Sequence, residues 1–310
     1  MKLRSNTTQA KVLRAVHDNP GVAAWYESKL RGVLQAALTD AVGIITEAWN
    51  EAPPIVGIAM DAGIVYYPER IEYFVTESGA EYGHEHAPAE WRLAYDAPSS
   101  TVKLNKALKK WGDKWRGKFD KLSGTLAKKF ASRSFTTTDN AMRAALREAG
   151  FTVSFTTTRR SLESYKLVVA ENVGLIRNLQ DSFYNRIQQD VWASVRAGAD
   201  MHTLSRKLQG SYGLEEKRAA LISRDQNAKA KAVLETTRRQ ELGIAKAIWQ
   251  HSAGGKEPRP VHVAWGREGK VFDLNKGLFD PDEQEWVFPG QLINCRCTSR
   301  AVIPGIDDEG

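Results

Sequence analysis

The sequence predicts an α+β protein with a mostly α-helical body and a small C-terminal α+β unit. Two observations predict the body and one the unit. Apolar residues recur at three- and four-residue steps through most of residues 8–50 and 102–242, the period of a helix with one buried face. Breaks between these runs fall at Asn19-Pro20-Gly21, Gly150 and Gly198, where a helix stops most easily. Strand signals dominate only after Gly243, in short β-branched or aromatic runs joined by loops rich in Gly, Pro and Asp.

The elements follow in order. Val12, Leu13 and Val16, then Ala23, Leu30, Leu34, Leu38, Val42 and Ile45, predict two amphipathic helices on either side of Pro20. Residues 51–100 change character, with Pro53, Pro54, Pro68, Pro88 and Pro98, and read as a loop-rich insertion with a hairpin drawn from Ile64–Tyr67 and Ile71–Thr76. From Val102 to Arg133 there are eleven Lys or Arg against two acids, while Leu104, Leu108, Trp111, Trp115, Phe119, Leu122, Leu126 and Phe130 form an apolar stripe. This predicts a basic amphipathic helix broken near Ser123-Gly124. Asp139–Ala149 reads as a separate helix capped by Thr138 or Asp139, and Phe151–Thr157 alternates like a strand. Further helices are expected at 161–200, at 201–208, and from about Glu215 to Leu242 beyond Gly210 and Gly213. Strands are expected at Ala245–His251, Val271–Phe272, Trp286–Phe288 and Cys297–Val302.

A chain of 310 residues exceeds the roughly 100–200 of a usual domain, so two domains are expected. With 42% hydrophobic and 26% charged residues, the composition is that of an ordinary folded protein. No apolar run approaches the roughly 20 residues that cross a bilayer, and the polar residues after Met1-Lys2-Leu3-Arg4 do not build a secretory signal, so a cytoplasmic origin is expected. The net charge of +7 favours polyanions without implying base-specific recognition. No glycine cluster sits between a strand and a helix with the spacing of a nucleotide-binding loop, which argues against an ATPase.

Several residues carry candidate chemistry. Cys295 and Cys297 with His251 and His262 form the donor set of a zinc site, since soft thiolates and imidazoles suit a tetrahedral zinc ion. One residue separates the cysteines where two to four is usual, so reduced, packed thiols are the stronger reading and no cofactor is expected. A hydrolase would need His262 to activate a cysteine, with Asp273 or Asp280 orienting it, and no nucleophile turn stands in the sequence. Lys103, Lys106, Lys109, Lys110, Lys114, Lys118 and Lys121 could meet the phosphates of nucleic acid, with Trp111 and Trp115 either stacking on bases or facing a core. His84 and His86, in a proline-rich loop, read as solvent-exposed.

A larger pattern runs through the C-terminal half. Arg224-Asp225-Gln226 is followed by Arg238-Arg239-Gln240, Gly243-Ile244 with Trp249, Arg259-Pro260-Val261-His262, Gly266 or Gly269 with Phe272, and Pro289-Gly290 with Asn294-Cys295-Arg296-Cys297. In order and spacing this resembles the phage head-morphogenesis family typified by the F protein of phage Mu. The stretch Gly254 to Pro260 departs from the family's usual charged approach to the histidine and adds proline. The resemblance implies a Mu F-like domain over residues 151–303 with its α+β unit from about 243, a separate N-terminal region over 1–150, and a tail at 304–310.

It also implies a minor capsid protein without enzymatic activity, present in the virion head and assembled in the host cytoplasm. Its implied partners are the portal protein and other head proteins, near packaged DNA and away from membranes. A nucleic-acid-binding protein carried or ejected with the genome is the first alternative, and a Cys/His hydrolase the second.

Overall fold

Proline at a first helical turn loses no hydrogen bond, and Pro20 opens the first long helix, α1 (Pro20–Glu51), with the Asn19 side chain accepting the Gly21 N–H at 2.8 Å. The computed structural model describes residues 9–51, 73–75, 81–83, 100–254 and 257–305. Among these, three further long helices follow: α2 (Ser100–Glu148), α3 (Arg159–Arg196) and α4 (Met201–Glu241). A short helix, α5 (Pro260–Glu268), lies among the C-terminal strands. Thr158 and Ser161 cap α3 reciprocally, and Asp200 caps α4 by accepting the Thr203 N–H at 2.6 Å. The protein is α+β, as the periodicities predict.

The strands are β1 (Lys11–Val12), β2 (Tyr73–Val75), β3 (Glu81–Gly83), β4 (Lys246–Gln250), β5 (Val271–Asp273), β6 (Leu278–Asp280), β7 (Glu285–Val287) and β8 (Thr298–Ile303). One antiparallel sheet has the order β1-β8-β4-β5, with Ala247 opposite Ala301 and Lys11 opposite Ile303. β6 and β7 form a hairpin, as do β2 and β3. The β2–β3 pair falls partly on the expected hairpin; Ile64–Tyr67, His84, His86 and the rest of the expected insertion lie outside the described residues.

The chain divides into two compact units. One comprises residues 1–31, 120–178 and 217–310, the other 32–119 and 179–216, so both draw on residues before and after position 150. In the second unit Leu34, Leu38, Leu104, Leu108, Ile187 and Leu208 are buried, as is Trp111, which meets Phe183 edge-on and whose indole N–H donates to the Ala37 carbonyl at 3.0 Å. In the first, Tyr26 stacks on Phe130, and a separate core gathers Leu13, Leu146, Ile244, Trp249, Trp265, Phe272, Val287, Cys295, Cys297 and Ile303 beneath the four-stranded sheet.

Several expectations are corrected by packing. The segment before Pro20 is not helical, because β8 recruits Lys11 and Val12 and the Leu13 N–H reaches Ala301 O at 2.9 Å. α2 runs unbroken through Ser123-Gly124, since buried Ser123 returns its hydroxyl to Asp120 O and an interior glycine costs only about 1 kcal/mol. Asp139 caps nothing; it lies within α2 and binds Arg238.

Residues 151–157 alternate in burial without a partner strand, Phe151, Val153 and Phe155 packing on the C-terminal core. α4 absorbs Gly210 and Gly213, held by Leu204, Leu208 and a Ser211–Asp190 hydrogen bond of 2.5 Å. α5 and β6 carried no sequence signal of their own that outweighed the loops around them. No described helix is long and apolar enough to cross a membrane.

Two glycines separate helix propensity from packing. A Cβ on Gly213 would meet nothing within 4 Å, so Gly213→Ala is expected to stabilise the protein by about 0.5–1 kcal/mol. A Cβ on Gly266 would lie 2.4 Å from His251 Cβ and 2.8 Å from its backbone nitrogen, so Gly266→Ala is expected to destabilise by about 1–3 kcal/mol. Chemical denaturation of the two variants checks both signs.

Candidate functional site

The densest polar chemistry of the C-terminal unit begins on α4. Lys231, Glu235 and Arg239 follow one another at four-residue steps on one helix face and are all buried. Lys231 Nζ donates to Glu235 at 2.9 Å; Arg239 also donates to Glu235, and to the hydroxyl and carbonyl of Ser299 on β8 at 2.6 and 3.0 Å. Burial pushes the Arg239 guanidinium below its ordinary pKa against the opposing pull of Glu235. Arg238, one residue earlier, grips Asp139 with two parallel bonds of 3.0 Å and reaches Thr156 O and Glu241 at 2.8 and 2.9 Å.

Beyond this ladder a second group converges from four elements. β4 supplies Trp249, α5 supplies His262, β6 supplies Asp280, and the turn before β8 supplies Cys295 and Cys297. The His262 ring lies 4.9 Å from Trp249 and 5.3 Å from Trp265, stacked on the latter. Its Nε2 is 3.1 Å from Asp280 Oδ2, and Asp280 Oδ1 accepts the Asp282 N–H at 2.9 Å. Its Nδ1 faces both thiols, 3.6 Å from Cys295 Sγ and 3.8 Å from Cys297 Sγ. An Nε2–H bond to the carboxylate leaves the Nδ1 lone pair directed at the sulfurs.

The two cysteines share their protons. The Cys297 thiol donates to Cys295 and, against burial, holds Cys295 down to about 4. The same bond, together with burial and repulsion from Cys295, pushes Cys297 up, while the Trp249 indole and the Ser252 N–H act the other way.

Of the four expected zinc ligands the fold joins three. His262, Cys295 and Cys297 have donor atoms within 4.8 Å of one another, whereas His251 Nδ1 accepts the Ala253 N–H at 3.2 Å. Asp280, one of the two aspartates considered as orienter, holds the imidazole; Asp273 instead accepts the Asn275 N–H. Such an arrangement can hold a metal ion or activate a thiol.

The remaining marker residues tie loops to this core. Asp225 accepts the Asn294 N–H at 3.0 Å and pairs with Lys229, and buried Gln226 bonds Asn172 and Glu171. Arg259 joins Glu283 and Ile293 O, while Arg296 is exposed and donates to Gly254 O at 2.8 Å. Arg224 is exposed. Sequence reasoning passed over Glu235, Lys231 and Ser299, whose buried ion ladder was signalled only by the four-residue spacing of charges.

Among the lysines, Lys106, Lys109, Lys110 and Lys118 are exposed, Lys114 pairs with Asp40 at 2.7 Å and Lys103 with Glu51 at 3.7 Å; Lys121 is also exposed. Trp111 and Trp115 are buried, with Lys118 Nζ lying over the Trp115 ring at 4.1 Å from its centroid.

Residues 185–300 match the family described as phage Mu protein F like protein, and the matched span contains every marker residue named above. Over that stretch the chain is similar to phage Mu protein F. An uncharacterised protein of Haemophilus influenzae is 29% identical over 146 residues, covering 47% of this chain and only 30% of that relative's length. No solved structure matches. Within residues 185–300 the ion ladder and the His–Cys group lie in one unit.

Glu235→Ala would leave two buried cations without their acid. Its expected cost is about 3–5 kcal/mol, read as a lower denaturation midpoint, whereas Arg296→Ala on the surface is expected to cost under about 1 kcal/mol.

Proposed function

We propose that this chain is a minor head protein of a tailed bacteriophage, acting in head morphogenesis at the portal vertex and close to packaged DNA. The match of residues 185–300 to phage Mu protein F carries this reading. The exposed lysines of α2 and the net charge of +7 support proximity to DNA, because a basic surface attracts a polyanion without reading its sequence. Other head proteins, the portal first, are the partners this reading names, and the virion head its location.

The burial of Trp111 and Trp115 favours backbone attraction over base stacking and so weighs against a dedicated single-strand binder. A hydrolase reading draws support from the order Asp280, His262, Cys295. It is the weaker one, because the cavity beside these groups measures about 40 Å³, which admits a water molecule and no peptide.

Co-expression with the portal protein of the same phage is expected to yield a complex that survives affinity purification at moderate salt. Heads purified from the phage or prophage that carries the gene are expected to contain the chain in a few copies. Its absence from both would overturn the assignment. For contact with DNA, retention on duplex DNA at low salt should fall steeply as salt rises, and no retention at low salt removes that part of the reading.

A further inference from the structure

The cluster at the heart of the C-terminal core contains one nitrogen lone pair facing two sulfurs. If the sulfurs were plain thiols, only one S–H could be donated to His262 Nδ1, yet both lie at near-equal distance, 3.6 and 3.8 Å. A tetrahedral zinc ion with Zn–S of about 2.3 Å and Zn–N of about 2.0–2.1 Å places nitrogen and sulfur about 3.6 Å apart and satisfies both at once. We propose that Cys295, Cys297 and His262 bind one zinc ion through both sulfurs and Nδ1, with Asp280 as the outer carboxylate that fixes the imidazole.

Several features support the ion. Asp280 holds Nε2, the arrangement by which a carboxylate orients a metal-bound histidine. The buried Trp249 indole N–H has no hydrogen-bond partner among the described residues, and its ring centroid lies 4.9 Å from that of His262, a free donor beside the cluster.

Two thiolates also balance the charge of a divalent ion in a site where His262, Cys295 and Cys297 are all buried. Sulfur with nitrogen selects zinc over magnesium or calcium. The fourth position faces the cavity of about 40 Å³ walled by His251, Ser252 and Arg259, room for one water. Bound there, the ion joins α5 to the turn that precedes β8, and its role is structural.

The full chain, purified without a histidine tag or chelator and under reducing conditions, is expected to carry close to one zinc by elemental analysis. Exchange into cobalt should give the visible bands of tetrahedral Co²⁺ with a thiolate charge-transfer band. Removing zinc with a chelator should lower the thermal midpoint, and adding zinc back should restore it.

Asp280→Asn, which keeps every ligand, is expected to fold and to bind zinc about 10–100-fold more weakly. Cys295→Ser with Cys297→Ser should abolish the cobalt bands. Zinc below about a tenth per chain, with a midpoint indifferent to chelator and added zinc, overturns the proposal. So do cobalt bands that persist in the double cysteine variant.

Discussion

Arg238 and Arg239 are adjacent on α4, so their side chains leave the helix about 100° apart, and that divergence decides where three other segments lie. Arg238 reaches Asp139 on α2 and Thr156 in the extended stretch after it; Arg239 reaches Ser299 on β8. A guanidinium buried in this way has to find acceptors on every side, because an uncompensated buried charge costs several kcal/mol. Glu235, Glu241, Asp139 and two backbone carbonyls meet that demand. The sheet and the helical part of the C-terminal unit are thereby held in one register, and the His–Cys group is assembled on top of it.

The cysteines illustrate how register becomes chemistry. β8 is fixed by Arg239 at Ser299 and by its pairing with β4, in which Trp249 stands opposite Ser299. The turn leading into β8 is then drawn back by Asn294, which takes a left-handed backbone conformation and donates its N–H to Asp225 on α4. Between these two anchors Cys295 and Cys297 turn inward and Arg296 outward to Gly254. The alternation of a strand is achieved here in a turn, with β8 starting only at Thr298.

The helical body was legible because its signal is additive. A dozen apolar positions in α2, from Leu104 to Leu146, each favour the same face, so Ser123 and Gly124 could not interrupt it. The errors came where a single tertiary contact outweighs local preference. Residues 11–13 have helical spacing but complete the edge of a sheet whose other strand lies some 290 residues away in sequence. α5 was hidden for the opposite reason: it is a nine-residue helix, begun by Pro260 and closed at Gly269, and in a sequence both residues read equally well as loop.

At the candidate site the sequence displayed the donors and concealed their geometry. His251 and His262 are alike as residues, and only the fold turns one toward the thiols and the other toward Ala253. The spacing of one residue between the cysteines counted against a metal because zinc pairs on regular hairpins need a longer loop. In a turn held by Asp225 and Ser299, residues two apart can bring their sulfurs to one nitrogen, so the short spacing constrains the turn and leaves the ion free to bind.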